Sequence, residues 1–183
     1  MMWTIPGTTL TGSRGEADGI ARQFQSMFLA GGLTLSQVAT ITGLESYAIQ
    51  NWVKRGFLTP PKNKRYDMEQ LCRIITINLL RGGLSIEQAC ALMRYVNGNL
   101  ADESDDLIDD AVLYFMFVRL AARARHIGGS QNWEDALLEA TAEYHEPVPG
   151  ARERVIRVLR IMLTVWVSNM LRLEAERQLK ELD

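Results

Sequence analysis

The chain has 183 residues, 47% of them hydrophobic and 23% charged, with a formal net charge of −2. That composition fits one or two soluble domains with enough core for a stable fold. The first 20 residues hold Pro6 and four glycines but no apolar core, so no signal peptide is expected. Arg157, Arg160 and Arg172 exclude a membrane span over 155–173, the best apolar stretch for one. Cys72 and Cys90 lie outside any CxxC or Cys/His pattern and read as reduced, buried thiols of a cytoplasmic protein.

In chain order, residues 1–15 are rich in Gly, Thr and Ser and are expected to be irregular. Asp18 opens a helix to about Ala30 with Ile20, Phe24, Met27 and Phe28 on one face, and Gly31-Gly32 ends it. Three capping boxes follow: Thr34 with Gln37, Asp67 with Gln70, and Ser85 with Gln88. Each precedes an apolar helical pattern. The first covers Leu35–Ile41. After a turn at Thr42-Gly43-Leu44 comes a helix over Ser46–Arg55, burying Ala48, Ile49, Trp52 and Val53. Further helices run from Met68 to about Arg81 and from Ile86 to about Tyr95. The only β structure expected is a short ribbon at 58–66. Asn97–Asp106 reads as a polar linker. Beyond it, helical patterns cover Leu107–Ile127, Trp133–Tyr144 and Arg152–Leu182.

Charge is uneven along the chain. Residues 33–83 carry a net +4 and residues 95–150 a net −8. A basic module beside an acidic one suggests that only the first meets polyanions. With Ile49 and Trp52 turned inward, the 100° helical step places Ser46, Tyr47, Gln50, Asn51 and Lys54 outward together, with Arg55 at the helix end. Gln and Asn can bond bidentately to adenine, while Tyr, Ser and Lys suit phosphates. Directly after it, Thr59–Tyr66 holds Lys62, Lys64 and Arg65, stiffened by Pro60-Pro61, with Tyr66 either beneath the loop or against a sugar.

These residues resemble the winged helix-turn-helix domain of MerR-like transcription regulators. The resemblance rests on Val38-Ala39 and Gly43, on Gly56-Phe57-Leu58-Thr59-Pro60, on Arg65-Tyr66 with Asp67, and on Gly83-Leu84-Ser85-Ile86-Glu87. It implies that Gln50 and Asn51 fall at DNA-contacting positions, Trp52 on a second aromatic and Arg65 on the wing arginine. The family's Tyr-Tyr-Glu is Asn51-Trp52-Val53 in this chain, and the wing is short. The whole chain also resembles an uncharacterised bacterial family, domain of unknown function 1836, whose members join such a domain to a helical part.

The expected architecture is therefore all-α. It has a flexible N-terminus and accessory helix (1–32), a winged helix-turn-helix (33–98) and a C-terminal helical bundle (99–183). The expected function is sequence-specific binding of double-stranded DNA as a transcription regulator. A homodimer through the C-terminal helices is expected, because so small a DNA module gains affinity from two half-sites. The alternatives are a protein-interaction adaptor on the same scaffold and a small-molecule sensor with a pocket near Tyr114–Phe117. The acidic tract 102–110 reads as a solvated helix N-terminus. His126 and His145 are lone, and no catalytic set stands out, so neither metal, cofactor nor enzymatic activity is expected.

Overall fold

The computed structural model describes residues 2–13, 15, 17–98, 100, 105–124 and 133–182. Asp102, Glu103, Ser104, His126 and the side chain of Asp18 lie outside the described residues. The chain is all-α with a small β element. Its helices are α1 (Ala17–Met27), α2 (Leu35–Thr42), α3 (Ser46–Lys54), α4 (Met68–Leu80), α5 (Ile86–Asn97), α6 (Asp110–Ala124), α7 (Trp133–Ala140) and α8 (Ala151–Lys180).

All three capping boxes form. Thr34 Oγ1 accepts from the Gln37 N–H while Gln37 Oε1 accepts from the Thr34 N–H. Asp67 with Gln70 and Ser85 with Gln88 make the same reciprocal pairs. Each satisfies two N–H groups that a helix start otherwise leaves open, and removing such a cap costs roughly 1 kcal/mol. Gly43 ends α2 in the left-handed conformation (φ 69°), and its N–H donates to the Ala39 carbonyl. The chain then turns into α3 within three residues.

α4 forms the centre. It packs against α2, α5, α6 and α8, so its apolar side chains from Leu71 to Leu80 are buried on every face, together with Gln70, Arg73 and Thr76. The buried apolar residues form one cluster running from Trp3 to Trp166. The polar stretch near 97–106 joins helices that share this core.

The β element is not where the sequence places it. Met2–Thr4 (β1) and Thr11–Ser13 (β2) form an antiparallel hairpin, with Trp3 opposite Gly12. The ribbon expected at 58–66 reduces to single bridges, Lys62 with Arg65 and Leu33 with Tyr66. The hairpin is ordered because its turn is anchored from three sides. The Thr9 N–H donates to the Ile41 carbonyl (2.8 Å), Asn78 Nδ2 donates to the Gly7 carbonyl (3.3 Å), and Tyr114 donates its hydroxyl to the Pro6 carbonyl (2.9 Å). Gly7 sits at φ 76°, and a Cβ there would lie 2.8 Å from Ile75 Cγ2, so a side chain has no room. Trp3 and Ile5 are buried, and Trp3 meets the Trp166 ring edge-on at 6.4 Å. The expectation of an irregular, flexible N-terminus is thus corrected for residues 2–13. Strands of three residues, Met-Trp-Thr and Thr-Gly-Ser, are too short to carry a periodic signal of their own.

The aromatic run of α6 lies largely inside this core. Tyr114 and Phe117 are wholly buried, packed on Phe24 of α1 and Trp166 of α8 respectively. Most of the run packs inside the core, because α1, α4, α7 and α8 all pack on α6, while Met116 also borders a surface cavity with Val112 and Arg119.

Candidate nucleic-acid interface

α3 is held by one face. Ile49 and Trp52 are buried, and the Arg81 guanidinium lies 5.4 Å from the Trp52 ring centre. Val53, expected inside, is half-buried. The opposite face carries Tyr47, which is 73% exposed, with Gln50, Asn51 and Lys54 also exposed and Ser46 partly so. The helical step brings these five to one side as expected.

Arg55 behaves differently. Its guanidinium is 2.6 Å from Glu87 of α5 and stacks 4.5 Å from the Phe57 ring centre. Both partners of the ion pair are about half exposed, so solvent screening leaves the pair little stabilising effect. Glu87 is thereby held below the usual carboxylate range by its own backbone N–H and by Arg55. Arg55 is therefore engaged within the protein in this structure, unlike its neighbour Lys54.

Gly56 (φ 74°) reverses the chain after α3, and the Phe57 N–H donates to the Trp52 carbonyl (2.9 Å). Leu58 is buried. The following loop closes as a two-residue turn between Lys62 and Arg65, with the Arg65 N–H donating to the Lys62 carbonyl (2.9 Å). Its central residues Asn63 (φ 50°) and Lys64 (φ 60°) are both left-handed, as a type I′ turn requires. Asn tolerates this conformation, whereas Lys adopts it at a cost. Lys62, Lys64 and Arg65 are exposed. Arg65 donates to the Gly32 carbonyl (3.2 Å), tying the loop to the end of the α1–α2 connection.

Tyr66 is corrected as a contact residue. It is buried, its N–H and carbonyl pair with Leu33 at 2.8 Å each, and burial pushes its pKa up. Its place is beneath the loop.

Two residues hold this loop in a role not read from sequence, Gln70 (expected only as a capping-box partner) and Arg73. Gln70 Nε2 donates to the Thr59 carbonyl and hydroxyl and to the Pro60 carbonyl, at 3.0–3.2 Å. Arg73 Nε donates to the Phe57 carbonyl (3.3 Å). The available signal was a polar pair inside the apolar run of α4, where an unpaired group would be costly.

Among the described residues, Lys54, Lys62 and Lys64 make no ion pair, and no group of three or more His, Cys, Asp or Glu is disposed to hold a metal ion. No helix among them is long and apolar enough to cross a membrane.

Residues 30–117, from the loop before α2 to the middle of α6, match a family described as "Domain of unknown function (DUF1836)". The chain is also similar to a Bacillus subtilis (strain 168) protein described as "Uncharacterized protein YkrK", with 27% identity over 113 residues. That alignment covers 60% of this chain and 48% of the relative, so the chain spans about half the length of the curated protein it matches. No solved structure matches. Neither description assigns a function.

Proposed function

We propose that this protein is a sequence-specific double-stranded DNA-binding transcription regulator. α3 would enter the major groove and the 59–66 loop would act as a basic wing on the phosphates. One observation carries the reading: Tyr47, Gln50, Asn51 and Lys54 stand exposed on one face of α3, and Lys54, Lys62 and Lys64 are without carboxylate partners among the described residues. Polar side chains left open beside uncompensated cations match what base edges and phosphates require. The sequence resemblance to MerR-like regulators supports the same reading.

The protein would act as a homodimer. Residues 171–182 of the chain are exposed throughout, including Leu171, Leu179 and Leu182. The helical step places Leu171 and Leu179 on one side, with Ala175 between them, and Leu182 follows the helix end. Arg172 with Glu176 and Arg177 with Glu174 support the helical part of this tail, 171–180, which extends roughly 15 Å at 1.5 Å per residue.

The test is selection of bound duplex from a random pool, followed by affinity measured against salt. Affinity should fall steeply between about 50 and 200 mM salt. Replacing both Lys62 and Lys64 by Ala should flatten that dependence by about 0.9 for each phosphate left without its cation, for all sequences alike. Gln50→Ala should instead relax base preference at one position, by roughly 1–3 kcal/mol. Affinity that ignores salt would sink the reading. A second reading, a protein-interaction adaptor, is favoured by the large exposed ring of Tyr47. The burial of Trp52 counts against it.

A further inference from the structure

A cavity of about 540 Å³ lies between the N-terminal hairpin, the end of α4 and the second half of α8. That volume is within the range of about 300–1,000 Å³ usual for small-molecule sites. Its apolar wall includes Trp3, Ile5 and Trp166. The rings of Trp3 and Trp166 meet edge-on, and Trp166 meets Phe117 in the same way, so the wall is braced by the core. None of the described residues that line the cavity is charged. In a chain with 23% charged residues, that lining selects against an ionic ligand, which would lose water there and gain no counter-charge.

Two asparagines supply the polar part, and their partners fix which way each amide points. Asn78 Nδ2 donates to the Gly7 carbonyl (3.3 Å) and to the Thr42 carbonyl (3.0 Å). Both partners are acceptors, so the nitrogen must face them and Oδ1 is left on the other side. Among the described residues nothing donates to this oxygen, and it is not sealed from solvent. Asn169 is set the opposite way. Its Oδ1 accepts from Arg172 Nη2 (2.8 Å), and because a guanidinium only donates, Nδ2 is the open end. A Cβ at Gly82 would lie 3.0 Å from Asn169 Cγ. Glycine there lets the Asn169 amide settle on the end of α4, about one helical turn from Asn78. Asn78, Gly82 and Asn169 all line the cavity, which therefore presents one open acceptor and one open donor beside two indole rings.

We propose that this cavity binds a small neutral molecule with an apolar body and a carboxamide or lactam edge. The ligand N–H donates to Asn78 Oδ1, its carbonyl accepts from Asn169 Nδ2, and its apolar part lies against Trp3 and Trp166. An amide edge carries one donor and one acceptor side by side, the complement of the pair in the wall. No residue of α3 or of the 59–66 loop lines the cavity, so this assignment and the DNA-binding reading do not need each other.

The test is an NMR titration of the full chain, without DNA, using benzamide. Two controls keep its ring. Acetophenone has a methyl group where benzamide has its NH2, and benzoate carries a charge. The expected result is saturable binding of benzamide, roughly tenfold tighter than either control. The indole signals of Trp3 and Trp166 and the side-chain amide signals of Asn78 and Asn169 should shift with it. Asn169→Ala, at a half-buried helix position, should weaken benzamide by roughly tenfold. Asn78→Ala should bring benzamide down to the affinity of acetophenone. If that variant does not fold, the wild-type comparison and Asn169→Ala still decide. Benzamide bound no better than a control, shifts that never saturate, or unchanged binding by Asn169→Ala would each overturn the site, leaving water as the partner of both amides.

Discussion

Tyr47 in α3 and Tyr114 in α6 sit in the first two turns of their helices and are used in opposite ways. Tyr114 is wholly buried, its ring 6.0 Å from Phe24 and its hydroxyl on the Pro6 carbonyl. Tyr47 is 73% exposed. The difference follows from the neighbours. α1, α4, α7 and α8 surround α6, while α3 is anchored through Ile49 and Trp52 on one side. Where a helix is enclosed, its polar atoms are committed to the fold. Where one face stays open, its polar atoms remain available to a partner. That contrast is why the candidate interface is placed on α3.

The contrast can be broken most forcefully at the joint below α6. Arg73→Ala would leave Asp110 buried without its cation and should cost about 3–5 kcal/mol, read as a lower midpoint in urea unfolding. A near-neutral result would mean that the start of α6 is not enclosed as described. The two tyrosines give the next test. Tyr114→Phe strands the Pro6 carbonyl and should cost about 1–3 kcal/mol. Tyr47→Phe should stay within about 0.5 kcal/mol, as for other open surface positions.

A smaller effect separates backbone from charge in the wing. Lys64→Gly relieves a left-handed lysine and should stabilise the fold by up to about 1 kcal/mol. The same change should flatten the salt dependence of DNA binding by about 0.9 if Lys64 meets a phosphate. Stability without a change in salt response would confine Lys64 to turn geometry.

The smallest effect is on pH. With Glu69 raised by burial to about 7 in the folded chain, the native state holds a proton that the unfolded chain has already released between about pH 5 and 7. Stability from this group is therefore present below that window and declines as pH rises through it. Asp110 is also raised, by burial against the pull of Arg73, and acts in the same direction. Urea midpoints from about pH 5 to 8 should show the decline, and Glu69→Gln should flatten it.

Much of the helical framework was legible in the residues. The three capping boxes and the inward placement of Ile49 and Trp52 were read from spacing alone, and each appears in the structure. Other features were not. The hairpin at 2–13 was missed because three-residue strands, Met-Trp-Thr and Thr-Gly-Ser, are too short to show an alternating pattern. Arg55 read as an open contact, yet Glu87 holds it, and Tyr66, read as either beneath the loop or against a sugar, is fixed beneath it by backbone pairing with Leu33. The partners responsible lie more than thirty residues away in each case, beyond the reach of any local pattern.

The division has a physical basis. Caps, helix faces and turns depend on groups within about four residues of one another, so residue order is enough to specify them. Which face stays open, where the first strands dock and which acceptor is left without a donor depend on chain segments meeting in space. The contact of Tyr114 with Pro6, 108 residues apart, and the amide of Asn78 fixed by Gly7 and Thr42 exist only once the core has closed around α4.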